Sequence, residues 1–224
     1  MNFAIYVRHL TKEFHTTLAV DDLTFQIGAG EVFGLLGPNG AGKTTTVRIL
    51  CGLIPPSRGT AIIGGYDIST PDGSMKTRNI IGLVPDNVGL YDTLSAVENL
   101  HFYGKMYNAP ERLINDNIEK YLKMLDLWER RNQAVGTFSN GMKQKVAVAR
   151  ALIHDPNILI MDEPTANLDP EASKTIRDFI VELKKEKRTI MLNTHNLDEA
   201  QRICTRIGIL KTRMIAIDTP DNLQ

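Results

Sequence analysis

The chain has 224 residues, 42% hydrophobic and 23% charged, which suits one large α/β domain or two small ones and is ordinary for a globular protein. Lysine plus arginine equals aspartate plus glutamate at 26 each, so charge gives no support to a nucleic-acid footprint or to nonspecific attraction to an anionic membrane. No apolar run approaches the ~18 residues of a membrane-spanning helix, no secretory signal is legible, and Cys51 and Cys204 lack metal-ligand spacing, which predicts a reduced, cytosolic setting with both thiols in the core.

In chain order, residues 4–10 and 23–27 predict short strands, and Gly28-Ala29-Gly30 turns the chain into the next one. Residues 32–36 read as a buried strand and residues 44–50 as a helix. Between them, residues 37–44 are Gly-Pro-Asn-Gly-Ala-Gly-Lys-Thr, a complete Walker A phosphate loop in strand-to-helix context. Pro55-Pro56-Ser57-Arg58-Gly59 breaks regular structure. Residues 60–65 predict a strand entering a hairpin turn, and residues 80–85 another strand. From Ser95 to Leu152 the sequence is mostly helical, with 99–107 and 111–127 as the main candidates. Ser139 reads as an N-cap, followed by an apolar stripe of Met142, Val146, Ala149 and Leu152; Lys143, Gln144 and Lys145 lie off that stripe. Strands resume at 158–162 and 189–194, around a helix over 171–185. Residues 207–210 and 214–217 flank Lys211-Thr212-Arg213 as a closing hairpin. Thr219 and Pro220 read as an N-cap and a first helical residue, predicting a helix that continues past Gln224. Strands alternating with helices imply a largely parallel sheet, with a helical insertion between the phosphate loop and the strand ending at Asp162.

The chemistry gathers at two places. Glycines in the phosphate loop let backbone N–H groups wrap an anion, and the helix N-terminus adds favourable potential. Lys43 would reach the β- and γ-phosphates, and the Thr44 hydroxyl would bind Mg²⁺. The second place is Asp162-Glu163, at the end of an apolar strand in the manner of a Walker B motif. Asp162 would serve the Mg²⁺ shell, and Glu163 would polarise an attacking water. An Asp-Glu pair alone is usually two solvated loop charges. Here it follows a phosphate loop and precedes Pro164-Thr165-Ala166-Asn167-Leu168-Asp169-Pro170.

With these motifs in this order, the whole chain resembles the nucleotide-binding domain of ABC transporters. The resemblance implies an α/β fold of P-loop NTPase (RecA-like) type: a mostly parallel sheet core, an N-terminal antiparallel β subdomain and an inserted α-helical subdomain. Residues 1–86 and 156–224 would form the catalytic core with its β subdomain, and 87–155 the helical subdomain. ATP and Mg²⁺ are the implied ligands, and ATP hydrolysis the implied activity. Asn39, Gly40, Ala41, Gly42, Lys43, Thr44 and Thr45 would hold the nucleotide, with Phe14 stacking on adenine. Lys43, Glu163 and His195 would be catalytic, His195 being the switch histidine that ends the strand at Thr194. Thr44, Asp162 (through water) and Asp86 would serve the metal. Phe138-Ser139-Asn140-Gly141-Met142-Lys143-Gln144 occupies the place of the family signature, and Leu168-Asp169 that of the D-loop. Ser139, Gly141 and Asp169 would therefore contact ATP held by a partner subunit.

The implied partners are a membrane permease, met through the helical subdomain, and a second copy or a related ATPase subunit in an ATP-dependent dimer; no nucleic acid is implied. The location would be the cytoplasmic face of the cell membrane. Residues 89–100 are like those of exporters with a separate ATPase chain, with Tyr91 and Leu94 as candidate surface contacts. The chain departs from the family where Asp86 replaces the usual glutamine and Asn140 the first signature glycine. The first predicts more magnesium-dependent ATP binding, and the second a slower but active ATPase. Two alternatives are a soluble ABC ATPase of translation, DNA repair or cluster assembly and an ATP-sensing module with poor hydrolysis. Tandem nucleotide domains, long coiled-coil insertions or metal hooks would mark the former. Asp86 and Asn140 are the only support for the latter.

Overall fold

A computed structural model describes residues 3–223. Strands β1 (Phe3–Phe14) and β2 (Thr17–Gly28) pair antiparallel from Ile5 opposite Ile27 to Phe14 opposite Thr17. They are longer than the predicted 4–10 and 23–27. Their apolar halves bury Ile5, Val7, Leu23, Phe25 and Ile27, whereas the outer halves are interrupted by register shifts that erase the two-residue alternation. Next come β3 (Val32–Leu36), α1 (Lys43–Leu50), β4 (Arg58–Ile63), β5 (Tyr66–Asp67), α2 (Pro71–Ile80) and β6 (Ile81–Val84). The helices α3 (Ala96–Met106), α4 (Glu111–Met124) and α5 (Asn140–Ala151) separate β6 from β7 (Ile158–Asp162). The remainder is α6 (Pro170–Lys185), β8 (Thr189–Thr194), α7 (Leu197–Ile203), β9 (Arg206–Lys211) and β10 (Arg213–Asp218).

Two sheets result. One is antiparallel, in the order β2-β1-β4-β5; the other runs β10-β9-β3-β8-β7-β6 and is parallel except for the edge strand β10. In the parallel sheet, alternate residues feed two different cores. Phe33, Leu35, Ile160 and Met191 pack with α1 and the antiparallel sheet, while Val32, Leu159, Met161, Ile190 and Leu192 pack with the helices of the opposite face. Both faces of β7 and β8 are thus covered, which is why they read as unbroken apolar runs. Cys51 and Cys204 are buried free thiols.

Three further elements differ from expectation. Helix α2 has no apolar stripe to announce it, since only Gly73 and Thr77 are buried. It is started instead by Pro71 and by the Thr70 side chain, which accepts from the Gly73 N–H. Gln144 and Lys145, expected off the buried stripe of α5, are 6% and 8% exposed, because α5 is wedged among α3, α4, α6 and β6. The expected C-terminal helix is a single 3₁₀ turn, Pro220–Leu223; its continuation at Gln224 lies outside the described residues.

Candidate nucleotide site

The phosphate loop joins the buried end of β3 to α1. Gly42 is tied to its position: its φ is +94°, and a Cβ there would lie 2.2 Å from the Ala19 carbonyl oxygen. No side chain caps α1, which leaves its first N–H groups free for an anionic ligand. Lys43 is 6% exposed, and its ammonium donates to the carbonyls of Gly37 (2.7 Å) and Pro38 (3.2 Å). It also lies 3.7 Å from Glu163 Oε1. The catalytic-type cation and carboxylate, remote in sequence, are therefore neighbours.

A cleft of about 720 Å³ opens over this loop. Asn39, Gly40, Ala41, Gly42, Lys43, Thr44, Thr45, Asp86, Glu163 and His195 all line it. Asp162, 3% exposed, sits behind: Thr44 Oγ1 donates to its Oδ1 at 3.4 Å, and the Asn193 amide donates to the same oxygen. Burial raises the Asp162 pKa above the usual carboxylate range, against the pull of the Thr44 and Asn193 hydrogen bonds; the negative charges of Asp86 and Glu163 add to the rise. Three carboxylates against one ammonium make a poor receptor for a bare polyphosphate, and a hydroxyl beside carboxylates is the hard-oxygen donor set that suits Mg²⁺. Glu163 has a φ of +50°, and its N–H donates to the Asn193 carbonyl at 2.8 Å. His195 Nδ1 donates to Glu163 Oε2 at 2.8 Å.

The remaining predicted residues lie elsewhere. Phe14 is 43% exposed and does not line the cleft; the Lys12 ammonium lies 5.0 Å from its ring centroid. Thr17, Leu18 and Ala19, at the start of β2, supply that wall. Sequence reasoning missed them because a short, largely exposed strand start carries no chemical signature. Ser139 caps α5 by accepting from the Met142 N–H at 3.3 Å, and Asp169 caps α6 by accepting from the Ala172 N–H at 2.8 Å. The two caps meet at Gly141, where a Cβ would lie 2.6 Å from Ala172 Cβ and 3.1 Å from Asp169 Oδ2. Neither cap lines the cleft. Asn140 is the first residue of α5 and is exposed, so its side chain is accommodated without backbone strain. A second cleft of about 340 Å³ separates α5 from the cleft floor, and Asp86 and Glu163 line both.

The sequence profile of the family described as "ABC transporter" matches residues 20–166. The chain belongs to the ABC transporter family. It is 38% identical over 220 residues to the linearmycin resistance ATP-binding protein LnrL of Bacillus subtilis (strain 168), covering 98% of this chain and 70% of that one. Among solved structures, cbiO1 of Clostridium perfringens, part of the ABC transporter complex cbiONQ, superposes with a TM-score of 0.89 at 30% identity, over 100% of this chain and 91% of that one. The ATP-binding cassette MJ0796, a dimer in a post-hydrolysis state bound to ADP and Pi, superposes with a TM-score of 0.83 at 26% identity, over 96% and 98% of the two chains. The fold is accordingly that of a P-loop NTPase, and the subunit binds and hydrolyses ATP. No helix among the described residues is long and apolar enough to cross a membrane.

Proposed function

We propose that this subunit powers a separate transmembrane permease, in export, by closing and reopening an ATP-dependent dimer on the cytoplasmic face of the membrane. The observation that carries the reading is a division within the site. The phosphate loop, Glu163 and His195 share one cleft, whereas Ser139, Gly141 and Asp169 lie together outside it. One chain holds half of each ATP site, and a second copy or a related ATPase subunit supplies the other half. The dimeric form of MJ0796 and the resistance role in the name of LnrL support this reading.

Within one site, Lys43 leaves the loop carbonyls for the β- and γ-phosphates, and backbone N–H groups of the loop and the start of α1 cradle them. Phe14 swings toward the adenine from the β1–β2 turn. Thr44, Asp162 through water, and Asp86 would hold Mg²⁺, which when bound neutralises phosphate charge. Glu163 accepts a proton from the attacking water, and His195, held by its contact with Glu163, stands beside the γ-phosphate.

Residues 87–155 act as the helical subdomain, and 1–86 with 156–224 as the core. The permease docks at an exposed apolar patch beside α3. Tyr91, Phe102 and Met106 are 46%, 40% and 64% exposed there, and the first two rings meet at 4.9 Å. Leu94 is only partly exposed and contributes less. Glu163→Gln tests the catalytic assignment: the variant should bind ATP normally and release no phosphate. Undiminished turnover would contradict it.

A further inference from the structure

The loops carrying Glu163 and His195 converge on a third acid that no sequence motif announced. Glu199, on α7, is 3% exposed. Its Oε1 accepts from Thr165 Oγ1 at 2.6 Å, and its Oε2 accepts from Thr194 Oγ1 at 3.1 Å. Thr165 lies two residues beyond Glu163, and Thr194 immediately precedes His195. Both threonines line the ATP cleft; Glu199 does not. Its own backbone is fixed as well, since its N–H donates to Asn196 Oδ1 at 3.1 Å, and the Asn196 N–H donates to Thr194 Oγ1 at 3.1 Å.

Given that Glu163 and His195 carry hydrolysis, as proposed above, we infer that Glu199 is a positioning residue. Its carboxylate bridges Thr165 and Thr194 and thereby fixes the catalytic carboxylate against the switch imidazole.

A buried carboxylate whose side-chain partners are two neutral hydroxyls is a costly way to fill space. What it offers over an apolar side chain is two strong acceptor oxygens set in a rigid plane, each able to take a short charge-assisted bond. Its place in the first turn of α7 offsets part of the cost. The bridge also complements a bond on the other side of the same contact. Glu163, held at a φ of +50°, is tied on its N-terminal side by its N–H to the Asn193 carbonyl at 2.8 Å. The Thr165–Glu199–Thr194 bridge ties it on the C-terminal side. A left-handed non-glycine residue keeps that conformation only where its surroundings enforce it, and the 2.8 Å contact between Glu163 and His195 lies between the two ties.

The test is steady-state hydrolysis and equilibrium MgATP binding by the full chain, for Glu199→Ala, Glu199→Gln, Thr165→Val and Thr194→Val. Glu199→Ala should lower kcat roughly tenfold or more, as expected when reacting groups are misplaced by a fraction of an ångström to about 1 Å. Its Kd for MgATP should stay within about twofold of wild type, because the lost interaction serves the chemical step. Glu199→Gln can accept from one threonine and donate to the other, and it should recover most of kcat. The two valine variants keep side-chain shape but lose the hydroxyl, so each should lower kcat as well; they carry the test if Glu199→Ala does not fold. Wild-type kcat in Glu199→Ala or in both valine variants overturns the inference. So does a loss that appears mainly in MgATP affinity, or a Glu199→Gln variant as impaired as Glu199→Ala. Undiminished turnover in Glu163→Gln would instead overturn the assignment of Glu163, whatever Glu199 does.

Discussion

His195 Nδ1 donates to Glu163 Oε2 at 2.8 Å across 32 residues of chain. The contact is a product of strand register. Strands β7 and β8 pair in parallel with Asp162 opposite Asn193, so the chain leaves both strands side by side at Glu163 and Thr194-His195. If the imidazole supports the hydrolytic step, His195→Ala should lower kcat by roughly 100-fold or more while ATP affinity changes by no more than about threefold. Phosphate release and nucleotide binding, measured on the same preparation, separate the two. An affinity loss as large as the kcat loss would make His195 a ground-state binder instead.

Asp86 lines the ATP cleft together with Glu163, and its charge raises the pKa of Asp162. An extra carboxylate repels bare ATP and attracts the magnesium complex. In EDTA, wild type should therefore bind ATP about tenfold more weakly than Asp86→Gln, a difference of ~1.4 kcal/mol. At saturating Mg²⁺ the gap should close or reverse. Superimposable affinity curves across a Mg²⁺ titration would contradict this.

The parts that were legible in the sequence are those whose chemistry or burial is local. Gly37 to Thr44 announces itself, and the unbroken apolar runs of β7 and β8 follow from a sheet covered on both faces. Helix α2 was missed because it has no apolar stripe, although its Thr70-Pro71 start is the same kind of pair that reads as a helix start at Thr219-Pro220. Gln144 and Lys145 were placed off the apolar stripe because nothing in the local pattern shows that α5 is enclosed by other elements. Glu199 was missed for a related reason. In the stretch Asn196-Leu197-Asp198-Glu199-Ala200 it looks like one of two first-turn acids, and only the fold brings Thr165 to it.

Gly141 has a structural duty separate from any contact with ATP. Its missing Cβ lets the start of α5 approach Ala172 and Asp169 at the start of α6. Gly141→Ala would force these two helix starts apart. It should lower unfolding free energy by about 1–3 kcal/mol, as overpacking does, and this should be measurable by urea denaturation without nucleotide. An unchanged midpoint would show that the two helix starts can move apart without penalty.

His154 stacks on Tyr107 with ring centroids 3.7 Å apart and planes within 5°. Both ring nitrogens are buried, and burial pushes its pKa down to about 4, against the upward pull of backbone hydrogen bonding at Ile81. The nearby charges are Asp155, which raises the pKa, and Arg188, which lowers it. An unfolded histidine titrates near 6.5, so between that value and about 4 the unfolded state binds more protons than the folded one. Stability therefore falls as pH drops through this window and stops falling, for this group, below it. The contribution is at most about 3 kcal/mol. His154→Phe should flatten this part of the stability profile between pH 6.5 and 4. An equally steep profile in the variant would assign the acid sensitivity to other groups.

In the proposed arrangement one chain contains half of each ATP site. Glu163→Gln should retain ATP unhydrolysed and so hold two chains together. Light scattering of this variant with ATP and Mg²⁺ measures that directly. The expected result is a shift from monomer mass to dimer mass that reverses when ATP is removed. A variant that binds ATP and Mg²⁺ yet stays monomeric at saturation would contradict it.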